Sequence, residues 1–145
     1  MKILVPVDGS KHAQEALDIA RDYAKLKNAD IYIVTVVPII ESIGLEVFPS
    51  EQEKIKASMR SHAETIVNQA CGFLSVDYRR SHCKTIVASH SVPDAIVDYA
   101  AKEKIDVIVI GSRGLGKSSR FKMGSVASKV VKHSPCSVYV VKMPE

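Results

Sequence analysis

The sequence predicts a single α/β domain built on a doubly wound, five-stranded parallel sheet with helices on both faces. Short β-branched apolar runs alternate with segments of helical periodicity, in the order β-α-β-α-β-α-β-α-β. The run Ile31 to Val37 is almost wholly apolar, as a strand buried on both faces in a parallel sheet must be. Glycine- and serine-bearing turns follow the first and fourth runs, where such sheets carry their ligand sites. At 145 residues the chain is expected to form one domain, residues 1–145.

The first strand is expected from Ile3 to Val7, ended by Asp8-Gly9-Ser10, with Ser10 as the cap of a helix carrying Ala13, Ala16, Leu17, Ala20 and Ala24. After the strand Ile31 to Val37, periodicity disappears between Pro38 and Ser50, which reads as a long loop with the character of a lid. Ile55, Met59, Ala63, Ile66, Val67 and Ala70 then mark a second helix, with Gly72 placed to end it. Arg79, Arg80, His82 and Lys84 interrupt the third strand, which is expected at Cys83 to Ala88 on an exposed edge. Ser91-Val92-Pro93-Asp94 is a helix start, and that helix should run to about Glu103. Ile105 to Ile110 is the fourth strand, Ser125 to His133 the last helix, and Val138 to Val141 the last strand, separated by Ser134-Pro135.

Composition narrows the function. Twenty basic residues are interspersed with sixteen acidic ones for a net charge of +4, so no dedicated basic face for nucleic acid is expected. The opening Met1-Lys2-Ile3-Leu4-Val5 carries no apolar signal core, and no apolar run approaches the ~18 residues of a membrane span, so a cytoplasmic location without membrane contact is expected. Cys71, Cys83 and Cys136 are odd in number and lack C-x-x-C spacing, and are read as separate free thiols. The five histidines show no metal-binding spacing, and no Gly-x-Ser-x-Gly pentapeptide offers a hydrolase nucleophile.

The chemistry is expected after the fourth strand. Gly111-Ser112-Arg113-Gly114 leads to a loop bearing Lys117, Arg120 and Lys122, and Gly124-Ser125 opens the last helix. A helix N-terminus presents unpaired N–H groups and about half a positive charge, which suits Gly124, Ser125 and Val126 to phosphate oxygens. The basic loop adds attraction for a polyphosphate. Gly111 through Gly116-Lys117-Ser118 also fits the P-loop pattern G-x-x-x-x-G-K-[S/T]. In a P-loop the helix begins at the Gly-Lys-Ser itself, whereas here apolar periodicity resumes only at Val126, and no later strand supplies a magnesium-binding aspartate, so the match is read as fortuitous.

These features together resemble the universal stress protein family over essentially the whole chain. The family's G-x-x-G, nine residues, G-[S/T] pattern is matched by Gly111, Gly114, Gly124 and Ser125, beside the opening Pro6-Val7-Asp8-Gly9-Ser10 and the closing Val138-Tyr139-Val140-Val141. The resemblance implies a Rossmann-like fold of the adenine nucleotide alpha hydrolase-like kind and an adenine nucleotide ligand, ATP, ADP or AMP, with magnesium as a candidate companion. It puts ribose on Asp8, adenine on backbone at Val36, and phosphates on Gly111, Gly114, Gly124, Ser125 and Val126, with Pro6, Val7 and Arg113 completing the site. It further implies a homodimer through the last strand, Val138 to Val141. Ser91 departs from the glycine many members carry before the helix-starting proline, at a turn remote from this site.

Two functions follow. The first is a nucleotide-responsive stress or regulatory binding module with no catalytic residue, since no general base stands out. The alternative is a slow ATPase or autophosphorylating protein with Ser118, Ser119 or Ser125 as acceptors, which needs a water-positioning residue the sequence does not supply.

Overall fold

The computed structural model describes residues 1–40, 48–113 and 123–143. Nine elements follow in order: β1 (Lys2–Pro6), α1 (Lys11–Lys27), β2 (Asp30–Val37), α2 (Pro49–Ser75), β3 (Ser81–Val87), α3 (Val92–Lys102), β4 (Val107–Gly111), α4 (Ser125–His133) and β5 (Ser137–Val141). All five strands pair in parallel, in the order β3-β2-β1-β4-β5. The chain thus winds outward from β1 to β3, returns to β4 beside β1, and finishes at β5. The switch point lies between β1 and β4, where a crevice must open because the connections leave toward opposite faces.

Period-two alternation in the central strands divides the core. Ile3, Val5, Ile31 and Ile33 pack with Ala16, Leu17 and Ala20 of α1 and Val67, Ala70 and Leu74 of α2. Leu4, Val34 and Ile108 point the other way, against Ile96 and Ala100 of α3 and Ala127 and Val130 of α4. Ser10 caps α1 by accepting from the Ala13 amide at 3.1 Å, and Ser91 caps α3 by accepting from the Asp94 amide at 3.3 Å. α1 ends on Asn28 in the left-handed region, φ 52°, a conformation asparagine tolerates better than most residues.

The predicted strands and helices are present, most boundaries moved by one or two residues. Gly72 does not end α2, which continues to Ser75; with nothing within 4 Å of its Cβ position, the glycine sits on an open face of the helix. β3 starts at Ser81, ahead of the expected Cys83. Arg80 explains that earlier start: its guanidinium donates to both Asp30 carboxylate oxygens at 3.0 and 3.1 Å and to Asn28 O at 2.8 Å, while its backbone carbonyl accepts from Ile31 N. The charge that interrupts the apolar pattern is what docks the edge strand.

The cysteine reading is corrected. Cys71 of α2 and Cys83 of β3 form a disulfide with Cα atoms 6.2 Å apart, and only Cys136 is free. Linear spacing could not show this, because helix-to-strand packing creates the proximity. Among the described residues no helix is long and apolar enough to cross a membrane. The proposed lid, Pro38 to Ser50, falls largely on residues 41–47, outside the described residues.

Candidate functional site

The carboxyl ends of β1, β2 and β4 converge on one cavity of about 840 Å³, within the size range of small-molecule sites. Its rim begins in the turn after β1. Gly9 has φ +85°, which an L side chain would strain. That conformation lets Asp8 fold over the turn, and its Oδ1 accepts from the Ser10 amide at 2.9 Å. One carboxylate oxygen thus holds the turn. Asp8 is half-buried on the cavity wall.

The end of β2 contributes Thr35, Val36, Val37 and Pro38. Thr35 is only 4% exposed, and among the described residues its Oγ1 has no hydrogen-bond partner. An orphaned buried hydroxyl carries a desolvation cost of about 1–3 kcal/mol until something meets it.

Opposite lie the end of β4 and the start of α4. Ser112 N donates to Val141 O at 2.8 Å, and Gly124 N donates to Ser112 O at 2.7 Å, so the helix start is tied directly to the strand end. Gly124 is the N-cap of α4 and provides no side-chain cap. The first intrahelical bond is Ser128 N to Gly124 O, which leaves the amides of the first turn pointing out of the helix beside the cavity. Their partial positive charge and Arg113 make this end of the cleft suited to an anion.

The structure brings Pro6, Val7, Asp8, Val36, Gly111, Arg113, Gly124, Ser125 and Val126 onto this one cavity. Gly114, the Gly116-Lys117-Ser118 end of the P-loop match and the basic residues Arg120 and Lys122 fall within 114–122, outside the described residues. Sequence reasoning missed the walls. Met59, His62, Ala63 and Ile66 of α2 line one side, and Val92 and Ile96 of α3 the other. Met59, Ala63 and Ile66 stand at the spacing of an amphipathic helix's apolar face; His62, the polar residue beside that stripe, is the available signal.

A doubly wound parallel domain with an anion-suited cleft at its switch point is the class that this fold and site define. The universal stress protein family model matches residues 1–142. A universal stress protein of Methanocaldococcus jannaschii is 32% identical over 99% of this chain and 83% of its own length. The solved universal stress protein UspA from Lactobacillus plantarum is 30% identical, with a TM-score of 0.81 over 97% of each chain. A universal stress protein from Archaeoglobus fulgidus, solved in complex with dAMP, is 26% identical, with a TM-score of 0.70 over 98% of each chain. The chain belongs to the universal stress protein family.

Proposed function

We propose that this protein binds an adenine nucleotide in the switch-point cleft and serves as a nucleotide-responsive regulatory module, paired with a second copy through β5. The observation that carries the reading is the convergence of Asp8, the end of β2 and the uncapped start of α4 on one cavity of about 840 Å³. In this reading the other carboxylate oxygen of Asp8 accepts from ribose hydroxyls and backbone at Val36 meets the adenine edge. The α4 amides, Gly111 and Arg113 receive phosphate oxygens. Apolar walls from both helical layers exclude water from the base. The dAMP complex of the Archaeoglobus fulgidus relative supports the ligand class. The pairing is supported by β5 being an edge strand whose Tyr139 is 51% exposed.

Calorimetric titration of the purified protein with AMP, ADP and ATP, each with and without magnesium, tests this reading, with GMP as the control base. Saturable binding of at least one adenine nucleotide well below 1 mM (~4 kcal/mol) is expected. Absence of binding at that concentration, or equal affinity for GMP, overturns it.

A further inference from the structure

We infer that Cys71 and Cys83 form a reversible redox-modification site, reacting with low-molecular-weight disulfides, whose oxidation tightens the nucleotide cleft. The inference rests on the nucleotide reading for its readout and on the Cys71–Cys83 bond for its chemistry.

α2 is a helix of 27 residues whose buried positions are Ala63, Val67, Ala70 and Leu74. In the turns before Ala63, which carry Met59 and His62 to the cavity, no residue is fully buried, Ile55 and Met59 being half-buried. Cys71 lies in the half that carries the buried positions. Its partner strand, β3, is the sheet edge, pairs only with β2 and holds no fully buried residue. The disulfide is therefore a covalent tie between a cleft-forming helix and an edge strand.

The tie is dispensable for the connection it spans. Tyr78 OH donates to Ala24 O at 3.3 Å and to Ala29 O, and Arg80 holds Asp30 and Asn28 O. The turn between α2 and β3 thus keeps its anchors when the sulfurs separate. Both cysteines are half-buried, within reach of a small thiol or disulfide.

The exchange balances. One cysteine thiolate attacks a sulfur of an oxidised disulfide, R–S–S–R, forming a mixed disulfide and expelling one RS⁻. The second thiolate attacks the protein sulfur of that mixed disulfide, closes the Cys71–Cys83 bond and expels the second RS⁻. Two electrons pass from the protein to the small disulfide, the two thiol protons are released and taken up by the departing thiolates, and two RSH result. Excess RSH reverses the sequence. Closing the bond limits the motion of α2 in the free protein, so less ordering remains for nucleotide binding.

The full chain, equilibrated with dithiothreitol or with oxidised glutathione, tests the inference by thiol titration and AMP calorimetry. The titre should fall from three free thiols to one on oxidation, and AMP should bind about three- to tenfold more tightly to the oxidised form. Cys136→Ser should keep this response and Cys83→Ser should lose it, its affinity fixed at the reduced value in both buffers. An unchanged titre, or equal AMP affinity in the two states of the wild type, overturns the inference alone. If AMP binds neither state, the nucleotide reading falls and the inference with it.

Discussion

Gly111 and His12 meet so closely that a Cβ on Gly111 would stand 2.7 Å from the His12 Cβ, 2.9 Å from its carbonyl carbon and 3.0 Å from its oxygen. Two of those atoms are backbone of the first turn of α1 and cannot swing aside. The glycine that sequence reasoning assigned to phosphate approach is thus also required for seating α1 against the end of β4. Gly111→Ala should destabilise the protein by about 1–3 kcal/mol, the usual range for overpacking, read as a lower urea midpoint at unchanged slope. Because α1 begins at the Asp8 turn, AMP affinity should fall in parallel.

Gly72 provides the opposite case. It lies inside α2 with open space where its side chain would be, so Gly72→Ala adds no contact and removes freedom only from the unfolded chain. A gain of roughly 0.5–1 kcal/mol is expected. A midpoint that falls instead would show that the glycine serves a contact beyond the helix.

Asp8 performs two tasks that can be separated. Asp8→Asn retains a side-chain oxygen to accept from the Ser10 amide, so the turn and its stability should persist, while the charge and one acceptor are lost. AMP affinity should drop by about tenfold, near 1.4 kcal/mol for a lost hydrogen bond to a charged group. Asp8→Ala should show that loss and also a lower melting temperature. Equal AMP affinity in Asp8→Asn and the wild type would remove ribose recognition from this carboxylate.

The order of elements was legible because each is a local matter: the near-continuous apolar runs Ile3 to Val5 and Ile31 to Val37, and serine caps at Ser10 and Ser91, need no knowledge of distant residues. The site floor was legible for a related reason, since in a doubly wound sheet it is made of segments immediately following strands. What could not be read depends on packing between elements. The Cys71–Cys83 bond, the contact of His12 on Gly111, and Met59 and His62 as cleft walls all come from the angle at which a helix lies on the sheet. The charged run at Arg79 and Arg80 misled on where β3 starts, because its compensation, Asp30, lies fifty residues away in sequence.

That pair sets an expectation for acid. The hydrogen bonds from Arg80, its charge and the nearby His82 together hold the Asp30 carboxyl below its ordinary value of 3.8, against the opposing pull of burial. With the folded value depressed, the contribution is present above the unfolded pKa and is lost as pH falls through the folded one. Asp30→Asn should therefore be less stable than the wild type at pH 7, and the gap should narrow steadily below about pH 4. Urea midpoints measured at pH 7, 5, 4 and 3 check this; a gap constant across that series would mean that the ion pair contributes nothing specific to charge.

The start of α4 gives the most direct test of the cleft. Gly124 has φ −59° and ψ 155°, a conformation open to any L residue, so a side chain there introduces no backbone strain. Its amide bond to Ser112 O should survive, since only Cα is altered. Gly124→Val nevertheless puts two methyl groups beside the amides of the first helical turn, at the cavity lining, where a phosphate must come within about 3 Å of nitrogen. Urea stability should change by less than about 1 kcal/mol, while AMP affinity should fall by at least about tenfold. Adenosine, which has no phosphate to be excluded, should lose much less. The difference between the two ligands isolates the helix start from the rest of the cleft: a variant that binds both as the wild type does would place the phosphate elsewhere, and one that loses both equally would mean that valine disturbs the whole cavity.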